Sequence, residues 1–107
     1  MGAKAREVRR LNRPIGYVVD KMRRIAGAKF KFQLLSENPD GHGGCWFSLC
    51  RNASLASWGE NITVALYPVD GFTTDIDIHS ECALPTQIID YGKNKKNVET
   101  LFQYIVS

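Results

Sequence analysis

At 107 residues and 12.0 kDa the chain has the length of one domain with one core, and its 44 % apolar and 23 % charged residues are ordinary for a globular protein. No apolar run approaches the roughly 18 residues that span a bilayer, and "MGAKAREVRRLNRP" has positive charge without an apolar stretch behind it, which excludes a membrane span and argues against a secretory leader. The net charge of +3 hides an asymmetry: residues 1–31 hold ten Lys or Arg against Glu7 and Asp20, while residues 32–107 hold four basic and nine acidic residues.

The first segment, "AREVRRLN", has only Val8 and Leu11 as sizeable apolar residues. It reads as a short edge strand or as the lead into a helix, and periodicity does not choose between them. Pro14 then stands where a helix tolerates a missing N–H. Ile15, Val18, Val19, Met22 and Ile25 follow the spacing of an amphipathic helix over about residues 13 to 26, with Arg23 and Arg24 in the last turn and Gly27 as its cap.

Strands follow. In "AKFKFQLLS", Phe30, Phe32 and Leu34 share one side, while Lys29, Lys31 and Gln33 share the other. "NPDGHGG" is turn chemistry. "CWFSLCR" is a strand without clear polarity. "ITVALYP" resumes the alternation with Ile62, Val64 and Leu66, and "VDG" turns into "FTTDIDIHS", where Ile76 and Ile78 oppose Asp75, Asp77 and His79. Short turns between such strands imply an antiparallel meander. The chain closes with "NKKNVETLFQYIVS", in which Val98, Leu101, Phe102 and Ile105 carry the helix period and Asn94 suits the N-cap.

The expected architecture is α+β, in the order β-α-β4-α: a single antiparallel sheet of four or five strands, with both helices packed on one face. One domain covers residues 1–107. Its core draws on Val18, Val19, Met22, Phe30, Phe32, Leu34, Ile62, Val64, Leu66, Ile76, Ile78, Val98, Leu101, Phe102 and Ile105.

Chemistry is sparse. Asp75, Asp77 and His79 lie about 6.6 to 6.8 Å apart on one face, so no two neighbours along the strand complete a metal site without donors from the next strand. That strand offers Asn61, Thr63, Ala65 and Tyr67, which are poor ligands, so the row reads as the solvated face of the sheet. His42, Cys45, Cys50, His79 and Cys82 match no finger spacing, and three cysteines do not close a disulfide framework. No catalytic residue, metal or cofactor is assigned. A cytosolic setting is the default.

"SWGENITVAL" and "LPTQIIDYGKNKKNVETLF" resemble a group of small uncharacterised bacterial proteins, with a Ser-Trp-Gly-Glu lead into one strand and an Asp-aromatic-Gly-Lys-Asn lead into the last helix. The element order is similar to the helix-grip arrangement of TATA-binding-protein-like and Bet v 1-like folds. The latter resemblance implies an apolar ligand held between a curved sheet and the C-terminal helix. Three expectations follow. A non-enzymatic binding module would use a groove lined by Phe30, Phe32, Ile76, Leu101 and Phe102 for a small apolar ligand or a protein segment. Alternatively, Arg6, Arg9, Arg10, Arg13, Arg23 and Arg24, with Lys21, Lys29 and Lys31, would contact nucleic acid or another polyanion. Lys93, Lys95 and Lys96 would offer an anion contact at the last helix. Trp58, Glu60 and the stretch from Asp90 to Asn97 are expected at one end of the molecule, with Trp58 beneath Tyr91 and Glu60 or Asp90 accepting hydrogen bonds from the loop.

Overall fold

A computed structural model describes residues 4–25, 32–51, 59–83 and 92–107. The elements are β1 (Lys4–Leu11), α1 (Ile15–Arg23), β2 (Phe32–Pro39), β3 (Cys45–Arg51), β4 (Glu60–Asp70), β5 (Thr73–Cys82) and α2 (Lys93–Val106). The strands form one antiparallel sheet in the order β1-β5-β4-β3-β2. This is the expected β-α-β4-α order, one antiparallel sheet with two helices, and the first segment is its fifth, edge strand.

Cross-strand charge explains why "AREVRRLN" is a strand. Arg10 stands opposite Asp75 and Arg6 reaches Asp77 diagonally, so an acidic row on β5 receives a basic row from β1.

The sheet's inner face is apolar along most of its length. Ile62, Val64, Leu66, Ile76 and Ile78 are each at most 1 % exposed and share one core with Val18, Met22, Val98, Leu101, Phe102 and Ile105. Val19 and Leu34, expected inside, are only partly buried against it. Phe30 lies outside the described residues. Phe47 and Leu49 of β3 are fully buried while Trp46 faces out, so this strand alternates after all. Its period is hard to read because Cys, Ser and Trp sit where charge would mark the outer side.

α2 lies across β1 and β5, and α1 packs nearer β4. Tyr104 donates its hydroxyl to the Lys21 carbonyl at 2.6 Å, joining the two helices. α1 is shorter than its apolar period: Pro14 is the N-cap and Arg24 the C-cap, and the Arg24 N–H bonds the Lys21 carbonyl at 3.2 Å in a tightened last turn. The proposed cap Gly27 is outside the described residues. At α2 the expected cap also moves. Gly92, at φ +77°, occupies the N-cap position, and Asn94 lies inside the first turn with no exposed surface.

Candidate functional site

The outward row of β5 is occupied by arginines. Arg10 holds Asp75 through two hydrogen bonds of 2.7 and 3.2 Å, and Arg6 holds Asp77 through two of 3.0 and 2.6 Å. The Arg10 guanidinium keeps the Asp75 carboxyl below the usual carboxylate range. His79 lies beside them with Nε2 3.8 Å from a Glu81 oxygen and no hydrogen bond to that nitrogen. Arg6, Thr63, Ala65, Tyr67, Asp77 and His79 line a shallow depression on this outer face. Among the described residues no group of three His, Cys, Asp or Glu converges as metal ligands would.

The basic N-terminal third is likewise engaged. Five of the six arginines considered for polyanion binding are in ion pairs: Arg6, Arg9 with Glu7, Arg10, Arg23 with Glu37, and Arg24 with Asp20. Arg13 lies 5.5 Å from the centre of the Tyr17 ring. Each phosphate contact by a paired arginine would first have to displace a carboxylate, which weakens the polyanion reading. Lys29 and Lys31 are outside the described residues.

The cysteines stay apart. Cys50 is on the outer face near Gln33, Cys82 is buried on the inner face, and Cys45 sits opposite Leu66 at the other end of β4. Burial pushes the Cys45 thiol pKa up, the opposite of an activated nucleophile.

Of the residues expected to line a ligand groove, Phe32 is 5 % exposed and Ile76, Leu101 and Phe102 are at most 1 % exposed. They are the closed core itself. Beyond these residues the inner face turns polar: Thr74, at one end of β5, donates to the Arg13 carbonyl at 2.9 Å, and a larger polar set stands at the other end. Arg51, Glu60 and Cys82 lie abreast on β3, β4 and β5, and Ser80 is one inward position further along. Asn94 and Asn97 descend onto them from the first turns of α2. Asn97 is the hub: its Oδ1 accepts from Arg51 Nη1 at 2.6 Å, and its Nδ2 faces Glu60 Oε1 at 2.9 Å and Ser80 Oγ at 3.2 Å. Ser80 also donates to Asn94 Oδ1 at 2.8 Å, and Asn94 Nδ2 lies 3.5 Å from the Cys82 sulfur. Glu60 is 4 % exposed, and Ser80, Asn94 and Asn97 are fully buried. The Arg51 guanidinium spans from this cluster to the face of Phe32, 5.5 Å from its centroid.

Glu60 thus meets the start of α2 at one end of the molecule, where Asn97 of the helix is one of its partners, and the hydrogen bonds expected from the preceding loop fall on residues outside the described ones. Trp58, Asp90 and Tyr91 lie outside the described residues. Lys93 is half-buried, and Lys95 and Lys96 point to solvent. A signal for the cluster exists in the sequence as polar residues in the wrong phase. Glu60 keeps step with Ile62, Val64 and Leu66, Ser80 with Ile76 and Ile78, and Asn94 and Asn97 with Val98, Leu101 and Ile105.

No protein-family model matches the chain, and no curated protein does. Among solved structures it is similar to the Zhui aromatase/cyclase from Streptomyces sp. R1128, at 10 % identity and a TM-score of 0.46, over 99 % of this chain and 87 % of that one. A likeness this distant transfers neither a ligand nor a reaction. No helix of the described residues is long and apolar enough to cross a membrane.

Proposed function

We propose that the chain is a small non-enzymatic binding module, and that its ligand is taken at the polar end of the grip, between the start of α2 and strands β3 to β5. The observation that carries this reading is the abrupt change of the inner face, where Arg51, Glu60, Ser80, Asn94 and Asn97 replace apolar residues. A buried carboxylate and its polar neighbours cost desolvation that an apolar set would not, and apolar residues would dock α2 at least as firmly. Such a set is suited to reading the polar head of a small molecule. Among the described residues no nucleophile stands against a base, which favours binding over chemistry.

The test is a thermal-stability screen of the intact chain against fatty acids, aromatic carboxylates, amphipathic amines and hydrophobic dyes, because a ligand of the folded state raises Tm. A hit should perturb the backbone signals of Glu60, Ser80 and Asn97, and Glu60→Gln should reduce its Tm shift. No stabilising compound, or a footprint confined to the outer face of the sheet, would remove this reading.

A further inference from the structure

We propose that the free edge of β1 docks an extended, acidic segment of another protein, which adds to the sheet as a sixth strand. This surface is separate from the grip. Among the described residues β1 ends the sheet, paired with β5 on one side only, and an edge strand presents backbone N–H and C=O groups ready for pairing. Eight residues long, it pairs with β5 in unbroken register from Lys4 to Leu11 and contains no proline. The other edge, β2, has a register shift between Leu34 and Ser36 and ends on Pro39, so it is the poorer template.

A groove of about 440 Å3 runs between β1 and α2, with Lys4, Glu7 and Arg9 on one bank and Lys95, Val98 and Glu99 on the other. Its charge sets the class of partner. On β1 the charges of Arg6, Arg9 and Arg10 are already met by Asp77, Glu7 and Asp75, which leaves Lys4, and the first turn of α2 adds Lys93, Lys95 and Lys96 with no acid. Glu7 already pairs with Arg9 at 2.8 Å, leaving Glu99 as the groove's unneutralised acid against Lys4 and Lys95. In strand addition the main chain supplies affinity and the flanking side chains supply selectivity, here for carboxylates. A second copy is the wrong occupant. Opposed residues of an antiparallel pair share a face, so two β1 strands would pair about Glu7 or Val8, which puts Lys4 opposite Arg10 or Arg6 opposite Arg10, like charges in direct cross-strand contact.

The experiment uses the intact chain and a capped, fluorescein-labelled peptide, Glu-Val-Glu-Thr-Glu-Val-Glu-Thr. Companion probes replace Glu by Lys, or carry N-methyl groups on the odd or on the even residues. Fluorescence anisotropy should show binding of the acidic peptide that weakens with salt, with the lysine version at least about tenfold weaker. One N-methyl series should also lose at least about tenfold and the other much less, because only alternate N–H groups of an added strand face the edge. The double variant Lys4→Glu/Lys95→Glu changes two side chains outside the core and should lose binding with its melting temperature unchanged. The proposal is overturned if the acidic peptide fails to bind at millimolar concentration, if both N-methyl series bind like the parent, or if the double variant folds and binds normally. Sedimentation showing a salt-resistant homodimer dissolved by that double variant would also overturn it, by assigning the edge to a second copy.

Discussion

Trp46 and Phe47 are neighbours in the chain with opposite fates. Phe47 is fully buried and Trp46 is 40 % exposed on the outer face. Phe47→Ala should therefore cost about 4 kcal/mol and Trp46→Ala less than about 1 kcal/mol, read from urea denaturation. A comparable loss for both would mean that β3 is covered on two sides. Asn97 offers a sharper test of the polar cluster, because it bridges Arg51, Glu60 and Ser80 in one amide. Asn97→Ala removes one hydrogen bond each from the Arg51 guanidinium, the Glu60 carboxylate and the Ser80 hydroxyl, and should destabilise by about 3 kcal/mol. A loss below about 1 kcal/mol would show that water replaces the amide freely and that the cluster is open.

At the scale of an element, two glycines should respond oppositely to one substitution. Gly16 lies early in α1, with nothing within 4 Å of an added Cβ and no positive φ. Gly16→Ala should stabilise by up to about 1 kcal/mol through helix propensity. Gly92 also has room for a Cβ, but its φ of +77° is left-handed. Gly92→Ala should destabilise by about 1 to 2 kcal/mol and loosen the start of α2, which holds Asn94 and Asn97 over the sheet. Thermal melts of the two variants decide the matter. Equal shifts of the same sign would contradict the turn geometry before α2.

Ion pairs tie β1 to β5 and α1 to β2, so their titration is a property of the whole molecule. Asp75 is lowered chiefly by its hydrogen bonds from Arg10, and Glu37 by those from Arg23. A carboxyl whose folded pKa is lowered contributes stability above its unfolded value, near 4, and loses that contribution as pH falls through the lower, folded value. Unfolding curves from pH 7 to pH 2 should therefore be flat down to about 5 and then decline. Arg23→Gln should shrink the decline, because it removes the cause of the Glu37 shift. Both pairs are exposed, so the effect is modest. An unchanged acid slope in that variant would mean the Arg23–Glu37 pair does not persist in solution.

Fold class, element order and the core were legible in the sequence because they depend on periodicity, which local spacing carries: Ile76 and Ile78 point inward and Asp75 and Asp77 outward, as alternation requires. The spacing of Val98, Leu101, Phe102 and Ile105 likewise placed the buried stripe of α2. Periodicity could not choose strand or helix for residues 4–11, because only pairing with Asp75 and Asp77 of β5, more than sixty positions away, gives their charges a geometry. The polar cluster escaped for the same reason. Arg51, Glu60, Ser80 and Asn97 come from four elements, and each alone is an unremarkable polar residue slightly out of phase. Strand register and the descent of α2 bring them within hydrogen-bonding distance, and burial then makes those bonds matter. The sequence by itself determined which faces turn inward, through the free energy of removing apolar surface from water. Tertiary structure alone decided which polar groups were carried in with them, and with whom each one pairs.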